Sequence, residues 1–170
     1  SRYVNLFSWA EGEYRGRMAA RFAMDNELAH QIYGGCDLFL MPSQFEPCGL
    51  SQLIALRYGT VPVVRETGGL RDTVLSYNDF TGEGNGFTFF NYNAHDMLHV
   101  IERAVKYYHE NKDVWHKLQM RGMTADFSWT HSSQAYLKLY EELIHPTAAA
   151  VTEEKTEEPN PVVVQEEPKH

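Results

Sequence analysis

Glu46 is the residue in this chain best placed for chemistry. It lies in the run Met41-Pro-Ser-Gln-Phe-Glu-Pro-Cys-Gly-Leu-Ser-Gln-Leu-Ile-Ala-Leu56, on backbone stiffened by Pro42 and Pro47. A carboxylate held rigidly in this way can accept hydrogen bonds from ligand hydroxyls, as a sugar site requires. A plainer reading is a surface carboxylate at a helix start, worth about 0.5–1 kcal/mol; position alone divides the two evenly. Past Gly49, the amides of Gly49, Leu50 and Ser51 are expected to be first-turn helix donors suited to phosphate oxygens, with the Ser51 hydroxyl beside them. Against this, every helix has such amides and most bind water. A second turn, Thr67-Gly68-Gly69, can bring backbone close to the same ligand because glycine permits close approach, although Gly-Gly before a helix is common. Together these residues suit a ligand that carries phosphate.

Other chemistries find no support. The chain has no Gly-x-Gly-x-x-Gly, no phosphate-binding Walker loop, no Gly-x-Ser-x-Gly, no His-Glu-x-x-His and no Asp-x-Asp. His95, His99, His109 and His116 fall on expected helices and read as solvent-facing. His30 is the one histidine weighed for reach into the cleft, with the greater weight against it. Cys48 as a nucleophile lacks a paired histidine. Cys36 and Cys48 make neither a disulfide framework nor a zinc site and read as reduced thiols.

These residues must be positioned by secondary structure. Residues 36–41 form an apolar run that reads as a buried parallel strand, and Leu50, Leu53, Ile54 and Leu56 then fall near helical spacing. Strand, sharp loop and helix in that order put the loop at a strand's carboxyl end, where open α/β sheets bind ligands. Upstream, 1–14 reads as a helix and 17–23 as a short strand. Asp25 or Asn26 caps a helix that Gly34-Gly35 stops. Downstream, 61–64 is a strand with Pro62 near its start, 67–73 opens a short helix, 76–86 is an exposed loop, and 86–90 is a last strand. Asn93 caps a long helix whose expected inner face is Met97, Leu98, Ile101, Val105 and Tyr108. Further helices are expected at 112–124 and 132–144. The strand–helix rhythm predicts an α/β fold with a Rossmann-like, doubly wound parallel sheet.

With 170 residues, 43% of them hydrophobic and 22% charged, the chain can bury the core of one such domain. The net charge of −8 argues against a nucleic-acid partner, which needs a basic footprint. Residues 146–170 carry six Glu and two Lys, so half of that charge sits in a segment expected to be a disordered acidic tail. No apolar run is long enough to span a bilayer and no signal peptide is visible, so neither a membrane partner nor export is expected.

The stretch Pro42-Ser-Gln-Phe-Glu-Pro-Cys-Gly-Leu-Ser-Gln-Leu53, followed by Arg57-Tyr-Gly-Thr-Val-Pro-Val-Val-Arg-Glu-Thr-Gly-Gly-Leu-Arg-Asp-Thr-Val74, closely resembles the bacterial glycogen synthase and plant starch synthase family. Leu28-Ala-His-Gln-Ile-Tyr33 and Asp126-Phe-Ser-Trp129 resemble the same family in the same order, and the match runs over roughly residues 5–145. The resemblance implies a GT-B glycosyltransferase, with two Rossmann-like domains across a cleft, retaining chemistry and no metal or other cofactor. It implies transfer of glucose from ADP-glucose to the non-reducing end of an α-1,4-glucan, in the cytoplasm. By position, Glu46 corresponds to the acidic residue that contacts the transferred glucose. Cys48 and Gly49 correspond to contacts with glucose hydroxyls, Leu50 and Ser51 to the diphosphate contacts, and Thr67 and Gly68 to the lining of the pocket.

Three positions depart from the family pattern. Gln44 stands where the family usually has Arg. Met24 stands where an aromatic residue often stacks on adenine, which bears on the choice between ADP-glucose and UDP-glucose. Ile54 stands where many GT-B enzymes carry a second Glu. Family members are more than twice as long, so 1–145 is expected to be a partial C-terminal domain. The N-terminal domain and the first strand–helix unit of the C-terminal one, which supplies Arg and Lys for the diphosphate, are then absent, and the chain alone is expected not to catalyse transfer. The alternatives are a non-catalytic nucleotide-sugar or glycan-binding module, and another GT-B enzyme using UDP-glucose.

Overall fold

The computed structural model describes residues 1–145; the acidic tail expected over 146–170 lies outside the described residues. By its internal packing the chain divides into Ser1–Ala125 and Asp126–His170. The first unit runs α1 (Arg2–Glu13), α2 (Asn26–Gly35), β1 (Leu38–Met41), α3 (Ser51–Arg57), β2 (Val61–Arg65), α4 (Gly68–Thr73), β3 (Phe87–Phe89), α5 (Ala94–Glu110) and α6 (Lys112–Thr124). Within the second unit, α7 (Trp129–Ile144) begins behind Ser128, whose hydroxyl accepts the His131 amide. It starts three residues earlier than expected, because that cap makes Trp129 the first helical residue.

The sheet has three strands in the order β1-β2-β3, parallel throughout. Leu38 pairs with Val61 and Met41 with Val64, while Val63 to Arg65 pair with Phe87 to Phe89. Pro62 falls outside the paired stretch shared with β3, so its missing N–H costs that ladder nothing. Alternation along β2 sends its side chains to two cores. Val61 and Val63 join Phe87, Ala104, Trp115 and Leu118 beneath α5 and α6, and Val64 joins Leu70 and Val74 beneath α4. Helices therefore cover both faces, as a doubly wound sheet requires. At the crossing of α3 and α6, Gly122 leaves room for Leu56, since a Cβ there would lie 2.8 Å from the Leu56 Cδ2.

Two expectations are corrected. Residues 17–23 form no strand. β1 pairs with β2 alone among the described residues, and the Ala20 amide donates to the Glu11 carboxylate instead of to a ladder. Lacking a neighbour, an extended segment does not make a strand. On α5 the expected inner face holds in part: Ile101 and Tyr108 pack inward together with Val100, Ala104 and Tyr107, whereas Leu98 and Val105 are exposed. Apolar residues span one half of α5, and contact with Phe87 and Trp115 selects the part of that half that packs.

Among the described residues no helix is long and apolar enough to cross a membrane.

Candidate functional site

Because β1 and β2 are adjacent and parallel, the loops that follow them leave the same edge of the sheet side by side. The first carries Glu46 and turns into α3; the second carries Thr67 and turns into α4. They touch backbone to backbone. Gly69 N donates to the Pro47 carbonyl at 3.2 Å. A Cβ on Gly68 would lie 2.1 Å from the Glu46 carbonyl oxygen, and one on Gly69 would lie 1.9 Å from that of Cys48. Gly68 also has φ +45°, which favours glycine. The glycines were expected to let backbone approach a ligand. In the structure their close approach is to the neighbouring loop.

Within the first loop the Glu46 side chain is half-buried, and its Oε2 accepts a long bond of 3.5 Å from the Ser43 hydroxyl. No other side chain engages it among the described residues, so the carboxylate is available to a ligand. Cys48 is exposed and a free thiol. Gly49 is buried with φ +73°, a turn that swings the chain into α3. Leu50 is 67% exposed and serves as the N-cap of α3 without a side-chain cap bond. The amides of Gly49, Leu50, Ser51 and Gln52 make no hydrogen bond within the described residues. Unpaired amides, a nearby carboxylate and Ser51 in the first turn can meet a ligand with both hydroxyl and phosphate groups.

The structure thus brings Glu46, Cys48, Gly49, Leu50, Ser51, Thr67 and Gly68 to one edge of the sheet. Met24 stands apart: it is 98% exposed ahead of α2, and none of the hydrogen bonds that hold the two loops includes it. His30 does not reach the cleft. Its Nδ1 lies 3.1 Å from the Tyr58 hydroxyl, at the opposite end of α3 from the loop.

Two residues not singled out from the sequence build the site's frame. Arg65 closes β2, and its guanidinium donates to the Gln44 carbonyl at 2.8 Å and the Phe90 carbonyl at 3.2 Å, while lying over the Tyr92 ring. A cation directly after an apolar strand was the available signal. Gln52 is fully buried on the stripe it shares with Ala55 and Leu56. A polar residue on an apolar helical stripe was the signal there. Beside the loop a hollow of about 370 Å³ is lined by Pro42, Phe89, Tyr92 and Met97 among others, and its walls are mostly apolar.

Away from this edge, the 76–86 loop is tied down by Arg103, which donates to the Tyr77 carbonyl at 2.7 Å and to Asp79 at 3.0 Å. Tyr107 donates to the same carboxylate. The Tyr107 hydroxyl first, and the Arg103 guanidinium with it, hold the Asp79 carboxyl below the usual carboxylate range, and the same contact raises Tyr107.

Comparison with known proteins identifies the family. Residues 20–117 match the family described as "Glycosyl transferases group 1". Glycogen synthase of Bacillus cereus strain Q1 is 58% identical over 144 residues, which are 85% of this chain and 30% of that protein. The catalytic domain of starch synthase IV from Arabidopsis thaliana, bound to ADP and acarbose, is similar at a TM-score of 0.70 and 38% identity, covering 81% of this chain and 29% of that one. Sucrose-phosphate synthase from Thermosynechococcus elongatus shares the fold at a TM-score of 0.60 and 21% identity, over 86% of this chain and 36% of that one. The chain spans about 30% of the length of the curated relatives it matches.

Proposed function

Since the chain belongs to the group 1 glycosyl transferases, we propose that it is the donor-binding part of a glycogen or starch synthase. The reaction is transfer of glucose from ADP-glucose to the non-reducing end of an α-1,4-glucan. The bond between the glucose anomeric carbon and the diphosphate oxygen breaks, and a bond to the acceptor 4-hydroxyl oxygen forms with retention. The hydroxyl proton is lost and ADP leaves. The observation that carries the reading is the 58% identity to glycogen synthase over 144 residues, a span that includes both site loops.

In this reading the Glu46 carboxylate faces the transferred glucose and stabilises charge that develops on it. Cys48 and Gly49 meet glucose hydroxyls, and Thr67 and Gly68 line the pocket. The unpaired amides of Leu50 and Ser51 face the diphosphate, where charge grows as ADP leaves. Met24 is assigned to the base, and its full exposure leaves that contact to be made on binding. The similar starch synthase structure is bound to ADP and acarbose, a nucleotide and a glucan mimic, which supports ADP-glucose and glucan as partners. A cytoplasmic location goes with a soluble nucleotide-sugar donor and with two free thiols.

Residues 1–145 are read as a partial C-terminal domain, 146–170 as its acidic tail, and the N-terminal domain of the same protein as the partner that completes the cleft. Transfer then needs residues beyond this chain, so the chain by itself binds donor without turning it over. A nucleotide-sugar-binding module would share the donor half of this description. Calorimetric titration with ADP, ADP-glucose and UDP-glucose tests the reading. Saturable binding of ADP-glucose in preference to UDP-glucose is expected; preference for UDP-glucose, or binding of neither, would overturn it.

A further inference from the structure

We infer that Gln52 and Thr73 form a strap that fixes the Glu46 loop against the Thr67 turn, and so set donor affinity without touching the donor. The effect on affinity rests on the reading of this edge as a sugar-nucleotide site; the mechanical coupling does not.

The Gln52 Nε2 donates to the Gly49 carbonyl at 2.8 Å and to the Thr73 hydroxyl at 3.2 Å, with the Cys48 carbonyl at 3.4 Å. Thr73 Oγ1 in turn donates to the Gly69 carbonyl at 2.6 Å. Gly69 closes the circuit by donating its own amide to the Pro47 carbonyl. Every donor in this ring has an acceptor on the ring, and the ring passes through both loops. Cys48 and Gly49 lie two and three residues from Glu46, and Gly69 lies next to Gly68. A shift of either loop must therefore break or drag the other.

The choice of glutamine at position 52 is not explained by core packing. The side chain is fully buried beside Ala55 and Leu56, where an aliphatic residue of the same length would pack as well. Its Oε1 is buried with no hydrogen-bond partner among the described residues, which opposes folding. What glutamine supplies is two N–H groups, and both are used. Gly49 makes room for them, because a Cβ there would lie 2.5 Å from Oε1. The rival account is that Gln52 only satisfies the carbonyls of its own loop, with the Thr73 contact incidental.

Thr73→Val separates the two accounts, because it leaves the bonds to Gly49 and Cys48 intact and cuts the side-chain link from Gln52 to the second loop. The full chain would be compared as wild type, Thr73→Val, Thr73→Ser, Gln52→Met and the double variant Gln52→Met/Thr73→Val. Amide hydrogen exchange is read without ligand at Ile54, whose amide donates to the Leu50 carbonyl at the end of the first loop, and at Gly69, whose amide donates to the Pro47 carbonyl, and ADP-glucose affinity by calorimetry. Thr73→Val is expected to speed exchange at Ile54 and Gly69 by about tenfold, the loss of one part-buried hydrogen bond or ~1.4 kcal/mol. Thr73→Ser is expected to restore it, and the double variant to be no worse than Gln52→Met. Affinity for ADP-glucose is expected to fall about tenfold in Thr73→Val and to return in Thr73→Ser.

Unchanged exchange at Ile54 and Gly69 in Thr73→Val, or additive effects in the double variant, would overturn the strap. Coupled exchange with unchanged affinity would overturn its effect on donor binding. Coupled exchange in a wild-type chain that binds no ADP-glucose would leave the strap standing and remove the donor assignment. Should Gln52→Met fail to fold, the Thr73→Val and Thr73→Ser pair decides.

Discussion

Gly69→Ala probes the contact on which the whole site rests. An alanine Cβ at this position would lie 1.9 Å from the Cys48 carbonyl oxygen, 2.7 Å from its carbon and 2.8 Å from the Cys48 Cα, whereas real Cβ contacts begin near 3.0 Å. Moving from 1.9 to 3.0 Å separates the loops by 1.1 Å, and all three opposing atoms are backbone, which cannot swing aside. The 3.2 Å bond from Gly69 N to the Pro47 carbonyl is then lost, at about 0.5–1.5 kcal/mol. Overpacking strain adds about 1–3 kcal/mol. Opposing this, alanine is favoured over glycine inside α4 by about 0.5–1 kcal/mol. The net expectation is a loss of about 0.5–4 kcal/mol, read as a lower urea midpoint with the slope unchanged. Function should suffer more than stability, because a misplacement near 1 Å at a reacting centre costs on the order of 10²-fold. ADP-glucose affinity by calorimetry, and glucose transfer in an enzyme containing this segment, report on that. A variant as stable as wild type or more so, with unchanged affinity, would mean that helix propensity decides the outcome and that the two loops are not in contact.

Three further outcomes follow from the same geometry. Gly12→Ala, in the body of α1 with nothing within 4 Å of the added Cβ, should raise stability by about 0.5–1 kcal/mol; a loss in the same urea titration would contradict the open space there. Glu46→Gln should cut transfer by on the order of 10²–10³-fold in the enzyme that contains this segment. Its melting temperature should hardly move, since the side chain makes a single long bond to Ser43; a large drop in melting temperature would show a structural role instead. Asp79→Asn tests the loop anchor through pH. The Tyr107 hydroxyl and then Arg103 depress the folded-state pKa of Asp79, so its stabilisation is present above the ordinary Asp range and lost as pH falls through the folded value. Urea midpoints of wild type and variant should therefore differ at pH 7 and converge below about pH 4. Half-exposure of Asp79 keeps the gap small, and a gap that widens on acidification would refute the assignment.

Much of the fold was legible in the sequence because its signals are local. Asp25 and Asn93 cap their helices, as a short polar side chain before an apolar period should. The bounds of α6 match the expected 112–124, set between Asn111 and the break after Thr124. The strand–loop–helix order around Glu46 and Thr67 is also local, and parallel pairing of β1 with β2 then sets the two loops together at one edge. The same edge could be proposed as a sugar-nucleotide site because the residues that resemble the family are contiguous in the chain.

What the sequence could not decide depends on partners distant in the chain. Residues 17–23 read as a short strand from the sequence, yet a strand exists only where a neighbour offers its ladder, and β1 pairs with β2 alone among the described residues. The inner arc of α5 was chosen by the ring faces of Phe87 and Trp115, which no period count contains. At the site itself, the chain determined that Gly68 and Gly69 stand where backbone must come close. Only the tertiary structure decided what comes close: the carbonyls of Glu46 and Cys48, 22 and 21 residues upstream of Gly68 and Gly69. Gln52 follows the same rule. Its side chain reads as an oddity on an apolar stripe until folding brings Thr73 to 3.2 Å, and the physical reason is that a hydrogen bond between two loops is a property of neither loop alone.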